Sequence, residues 1–365
     1  MFPLIKGSVT RQAHVGIPGG THEEEHARHG FAGRASHLFH LRPPTAWKRV
    51  EGPLRPRLFR AQALAPDGGD HDGRASVLLR NDDVAIAVAR LTRPPAPFLR
   101  NGDGDELHFV HDGRGVYETD YGALAYEPGD YLWLPKGTTY RAAPTGATFV
   151  VVIESRHELA WPDRGPLGQH AFIDPAMVET PEPEPNHTVG EEFELRVKRR
   201  GQWTSFYYDF HPLDVVGWKG DLAPVRFNVR DLRPVVSMRA QLPPTAHATL
   251  VARGLGIFTF VPRPFPAEPD VLRVPFYHRN VDNDELIFYH AGEFMSRRGV
   301  QPGSFTLHPQ GIDHGPHPKA AEAARTREVS SEVAVLIETE ESLQPTLAAE
   351  GIEDPDYVTT WVAGE

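Results

Sequence analysis

Short runs rich in Val, Ile, Leu, Phe and Tyr recur along the chain, separated by turns that contain Gly or Pro. In the first half, 75–79, 84–91, 106–111, 116–118, 130–134 and 148–153 read as strands. The stretch 179–187, ETPEPEPNH, breaks the pattern; alternating Pro and Glu resist helix and sheet alike, which predicts a linker. Strand patterning resumes at 193–197, 205–209, 225–229, 256–261, 285–290, 304–308 and 333–338. Residues before about 60 show Gly/Pro punctuation without periodicity and predict loops. Only 319–327, rich in Ala and Glu, reads as a helix in the second half. The pattern predicts an all-β chain with few helices, in two domains at 1–185 and 186–365.

The two halves repeat one another. LRNGDGDELHFVHDG (99–113) aligns with HRNVDNDELIFYHAG (278–292) at a constant offset of 179 residues. Downstream, EPGDYLWLPKGTTY (127–140) aligns with QPGSFTLHPQGIDH (301–314) at an offset of 174, which places a five-residue difference in the intervening loop. Two related motifs in the same order point to a duplicated β-domain.

Composition narrows the function. The 365 residues are 40% hydrophobic and 10% aromatic, enough for a proper core. Lys and Arg total 38 against 49 Asp and Glu, a net charge of −11 that argues against nucleic-acid binding. No cysteine is present, so disulfides, thiolate nucleophiles and Cys-held zinc are excluded. No apolar run is long enough for a membrane span, and the first residues lack a signal-peptide core; a cytoplasmic protein is expected. The 19 histidines call for a search for a His-rich site.

Two suggestive motifs read as ordinary structure. HEEEH (22–26) fits the spacing of a zinc-protease helix, but every position is polar and glycines flank it; a solvated acidic segment is expected. GDGDE (102–106) lacks the later bidentate Glu of a calcium loop, and its counterpart at 281–285 marks it as a feature of the repeat. Around the second repeat lies a richer set. His278 stands at a turn, Glu285 opens a strand, and His308 and His314 follow across a turn. Two histidines and one carboxylate on one face are a common way to hold ferrous iron with open positions. Period-2 alternation places Glu285, Ile287 and Tyr289 on one face, and Leu286, Phe288 and His290 on the other.

Glu285 with Gly292, then Pro302-Gly303 before the histidines, resemble the two cupin motifs. That resemblance implies a bicupin: two double-stranded β-helix (jelly-roll) barrels. Tyr277-His278-Arg279-Asn280, and Leu307-His308 followed by His314-Gly315-Pro316, are similar to segments of the homogentisate 1,2-dioxygenase family, in a divergent bacterial branch. The similarity is strongest over 275–318. It implies Fe(II) held by His278, Glu285 and His314, with His308 beside the substrate. His247, in PPTAHATL, is the further candidate for proton handling; the alternative is a surface-loop histidine. Asp284 stands at the spacing of the family and remains the alternative ligand to Glu285, whose spacing to Gly292 and strand entry fit better. Phe294 replaces a family tyrosine, which leaves the substrate open. In the first repeat the three ligand positions hold Leu99, Glu106 and Tyr140, so that half is expected to be metal-free and either structural or part of the pocket wall.

The family implies ring cleavage of a dihydroxyphenyl acid by dioxygen, homogentisate to maleylacetoacetate, as in tyrosine and phenylalanine catabolism, by a homo-oligomer. Two alternatives stand beside it. One is another cupin enzyme, either a gentisate- or hydroquinone-type dioxygenase or a divalent-metal isomerase or hydrolase. The other is a non-enzymatic ligand-binding bicupin.

Overall fold

The computed structural model describes residues 4–31, 33–65, 72–273, 276–294, 299–317 and 326–361. Among them the only α-helix is the four-residue Leu347–Glu350; strands and short 3-10 turns make up the regular structure. The helix expected at 319–327 lies almost wholly outside the described residues.

The chain forms two β-barrels, the bicupin expected from the motifs. In the first, a seven-stranded sheet runs in the order Val225–Asn228, Asp130–Leu134, Asp105–Asp112, Thr148–Ser155, Val84–Leu91, Ser76–Arg80, Gln344–Pro345. It faces a six-stranded sheet ordered Gln202–Phe210, Val189–Arg199, Phe98–Asn101, Thr139–Pro144, Gly115–Thr119, Gly122–Tyr126. In the second, a six-stranded sheet runs Ala248–Ala252, Leu255–Phe260, Val333–Thr339, Asp284–Ala291, Ser304–His308, Arg57–Arg60. Its companion is the three-stranded sheet Tyr277–Asn280, His22–Ala27, Ala35–His40.

Strand alternation divides the core into layers. Leu286 and Phe288 point toward the first barrel, where they join Leu107, Phe109, Tyr131, Val151 and Ile153 in one cluster between the barrels. Ile287 and Tyr289, from the opposite face of the same strand, fill the second barrel with Phe258 and Leu336. Val110, Leu132 and Val150 fill the first. The repeat is visible here: His111 and His290, equivalent in the two copies, meet across the barrel interface with their Nδ1 atoms 3.0 Å apart. Burial leaves both neutral, with pKa values lowered to about 4.

The first sixty residues depart from expectation. They contain three strands, and HEEEH is an interior strand instead of a solvated segment. Its polar side chains are tolerated because they are paired. Glu24 is 1% exposed and lies against His40 (2.6 Å) and Arg279 (3.4 Å). Glu23, on the other face, is 2% exposed and lies against His14 and His37. Buried charge of this kind carries no apolar period for a sequence reader to find.

Strand pairing also crosses the cut at 185/186. The hairpin from 22 to 40 pairs in parallel with Tyr277–Asn280 of the second barrel, Glu25 opposite His278. The hairpin from 189 to 210 pairs in parallel with Phe98–Asn101 of the first, Arg196 opposite Leu99. Each barrel thus receives an equivalent hairpin from outside its own repeat. Segment 179–187 forms no strand, although Glu179 bridges Arg226 through two backbone bonds of 2.8 and 2.9 Å.

Candidate metal centre

Three side chains from separate segments converge in the second barrel. His278 comes from the strand Tyr277–Asn280 and Glu285 from Asp284–Ala291; His314 follows the turn after His308. His278 and His314 exchange two backbone hydrogen bonds of 2.9 Å, which brings their rings to 3.9 Å between centroids. His278 Nε2 lies 3.4 Å from Glu285 Oε2, and His314 Nε2 lies 3.6 Å from Oε1. The three residues are 6%, 5% and 1% exposed, and one ligand atom from each falls within 4.8 Å of the others.

The tautomers are set for ligation. His278 Nδ1 donates to the Phe276 carbonyl at 3.0 Å, and His314 Nδ1 to the Ile312 carbonyl at 3.2 Å. Each Nε2 is thereby left as a lone pair directed inward, and His278 Nε2 is buried without a hydrogen-bond partner. Desolvation works against charge on Glu285, but the surrounding histidines, His314 foremost, hold its pKa well below the usual carboxylate range. Two imidazoles whose Nδ1 protons are held by carbonyls, together with an ionised carboxylate, are a donor set suited to a ferrous ion.

Asp284 takes no part in this set. Its oxygens accept the backbone N–H groups of Gln310 (2.8 Å) and Leu343 (2.7 Å), tying two loops to the strand. Adjacent residues on a strand point to opposite faces, so only one of the two acids can meet the histidines.

His308 is fully buried. Its Nδ1 lies 2.8 Å from Glu285 Oε1, its ring stacks on His314 at 4.8 Å, and its Nε2 lies 3.5 Å from the Tyr357 hydroxyl. It therefore orients the carboxylate. His247 goes elsewhere. It is 4% exposed, so it is no surface-loop residue, and it ends the 3-10 turn Pro244–His247 with Nε2 3.0 Å from the Val235 carbonyl. Its cavity is lined by segments 235–242 and 263–266, which contain none of the three converging residues. Burial and the charge of Arg263 lower its pKa to about 4.

Three neighbours carry no functional signal in the sequence. Glu338 pairs in register with Glu285; burial and the charge of Glu285 push its pKa up to about 8. Phe31 packs 4.9 Å from the His278 ring, and Tyr357 arrives from a turn near the far end of the chain. Glu338 was legible only as the acid ending a strand, and the other two as isolated aromatics.

The first barrel repeats the scaffold without the two histidines. Leu99 and Tyr140 face each other in register where His278 and His314 do, and Glu106 stands at the Glu285 position.

Fold and site together define a bicupin with a two-histidine, one-carboxylate cluster in its second barrel. The model of the homogentisate 1,2-dioxygenase N-terminal domain matches residues 82–229, and that of the C-terminal domain matches 240–364. A Saccharolobus solfataricus protein named "Putative dioxygenase" is 33% identical over 358 residues, covering 93% of this chain and 92% of its own. A homogentisate 1,2-dioxygenase of Rhizobium leguminosarum bv. trifolii is 28% identical over 287 residues, 72% of this chain and 62% of that protein. The chain belongs to the homogentisate 1,2-dioxygenase family, a family of oxygenases. Among solved structures, the E. coli protein Ylba is 8% identical with a TM-score of 0.36, over 81% of this chain and 95% of its own. A cupin 2 conserved barrel domain protein of Leptotrichia buccalis is 10% identical with a TM-score of 0.34, over 78% and 96%. Likeness at that level adds nothing to a fold that rests on strand order and family.

Proposed function

We propose that this protein is a ring-cleaving dioxygenase that uses Fe(II) held by His278, Glu285 and His314 to open a dihydroxyphenyl acid, with homogentisate as the leading substrate and maleylacetoacetate as product. The observation that carries the reading is the convergence of three buried donors, His278 Nε2 unpartnered among them, in a chain of this family. When bound, ferrous iron supplies Lewis acidity and the redox chemistry toward dioxygen that the side chains here lack. The residues do the rest. The carbonyls of Phe276 and Ile312 fix the two imidazole tautomers. His308 steadies Glu285 and, with Tyr357, forms a short polar path on which a substrate hydroxyl proton is held. Phe31 and Phe276 shield the His278 side from water.

The test is dioxygen uptake by metal-stripped, ferrous-reloaded protein offered homogentisate, gentisate and unsubstituted hydroquinone. One dioxygen consumed per homogentisate, with both atoms in the product, is expected. Turnover without dioxygen, or equal turnover with zinc, would move the protein to the isomerase or hydrolase class.

A further inference from the structure

A second cluster of metal-ligating side chains lies outside that centre, on the N-terminal hairpin. Among the described residues, only two sets of three such groups gather within 4.8 Å; the other is His14, Glu23 and His37. Glu23 and Glu25 alternate onto one face of the strand His22–Ala27, and His37 stands opposite Glu25 on the paired strand Ala35–His40. His14 reaches them from the preceding loop. Its left-handed backbone, with φ at 62°, is uncommon for a residue with a side chain. That bend aims both its amide and its ring at Glu23.

The spacing brings one ligand atom from each residue within reach of a shared ion. His14 Nδ1 is 3.3 Å from one Glu23 oxygen, and His37 Nδ1 is 2.9 Å from the other. Ligands about 2.0–2.2 Å from a common tetrahedral ion stand roughly 3.3–3.6 Å from one another. Both Nδ1 atoms are buried, and neither makes a hydrogen bond of acceptable geometry. His14 is 7% and Glu23 2% exposed. On their outer edges the two rings face Glu25, whose Oε2 lies 3.5 Å from His14 Nε2 and 4.0 Å from His37 Nε2. A carboxylate behind a ligating imidazole favours the tautomer with its proton on the outer nitrogen, leaving the inner one open.

We propose that His14 Nδ1, His37 Nδ1 and a Glu23 carboxylate oxygen bind a second divalent ion of the zinc type, with Glu25 orienting the two imidazoles. Its role is structural. The His14 ring stacks on Phe276 at 4.0 Å, and the Phe276 carbonyl receives the Nδ1–H of His278. The ion ties the N-terminal loop and hairpin to the segment that presents a ligand of the first centre. Its competitor is the proton. Desolvation opposes charge on His14, but the adjacent carboxylates of Glu23 and Glu25 raise its pKa to about 9.

The test counts metal in the full-length protein, stripped with chelator and dialysed against micromolar zinc at pH 8. Two equivalents per chain are expected in the wild type. His314→Ala, which cripples the first centre, should keep one; His314→Ala with His37→Ala should keep none. His37 is the member suited to substitution, because its side chain is partly exposed. Circular dichroism checks that each variant is folded. Should His314→Ala fail to fold, the wild-type count together with His37→Ala alone decides. Loss of one equivalent on His37→Ala supports the site whatever happens at the first centre. A wild-type count of one that His37→Ala leaves unchanged, or two that it leaves at two, overturns it.

Discussion

At the residue scale, two neighbouring acids face opposite sides of one strand. Asp284 and Glu285 differ by one position, and motif spacing alone left both open. Strand direction separates them: Glu285 turns to the histidines, and Asp284 to the N–H groups of Gln310 and Leu343. Their substitutions should therefore fail differently. Glu285→Gln is expected to weaken ferrous binding more than about 100-fold, beyond the 10–100-fold cost of losing an outer-shell partner, with the melting temperature of the stripped protein little lowered. Asp284→Asn is expected to cost about 1–3 kcal/mol in urea denaturation through one broken backbone bond, with iron still near one per chain. Iron content and denaturation midpoints of both variants check this, and loss of iron in Asp284→Asn alone would reverse the assignment. His278, Glu285, His308 and His314 were legible because they sit in two ordered motifs. Glu338, Phe31 and Tyr357 were not, because each is brought in by tertiary contact from a segment with no motif of its own. His247 was a candidate by resemblance only, and its described contacts lead to a separate cavity.

At the element scale, the strand periods of both repeats were readable because each buries one apolar face on the other barrel. Gly113 and Gly292 close equivalent strands and show why the repeat keeps its glycine. Both have positive φ, 95° and 88°, and a Cβ at either would collide with backbone, at Ala147 and Thr148 or at Ser331. Gly292→Ala is expected to cost about 1–3 kcal/mol, measured by thermal or urea unfolding. An unchanged midpoint would mean that this turn does not hold the strand. The hairpin at 22–40 was unreadable for the opposite reason. Its interior is made of Glu–His and Glu–Arg pairs, so a pattern of polar residues hides buried strands.

At the scale of the whole molecule, the barrels depend on one another. The first sixty residues complete the second barrel and residues 189–228 complete the first, an exchange that no local signal announces. Chains cut at 185/186 are expected to be insoluble or unfolded, since each loses strands and exposes the shared core; a folded, soluble 186–365 fragment by circular dichroism would contradict this. The His111–His290 pair in that interface adds a pH dependence. Both pKa values stand near 4 when folded, against 6.5 for the unfolded chain. Between pH 6.5 and 4 the unfolded chain binds protons that the folded one refuses, so stability is complete above 6.5 and declines through that window as pH falls. Urea midpoints from pH 7.5 to 4.5 should fall less steeply for His290→Asn than for the wild type. Equal slopes would remove the pair from the acid response.

On the proposed function, His278, Glu285 and His314 share one ion inside the second barrel. The most direct measurement is an iron-edge anomalous difference map from crystals of ferrous-loaded protein grown without dioxygen. The prediction is a strong peak within about 2.0–2.3 Å of one nitrogen from each histidine and an oxygen of Glu285. No iron peak among those three side chains would contradict it.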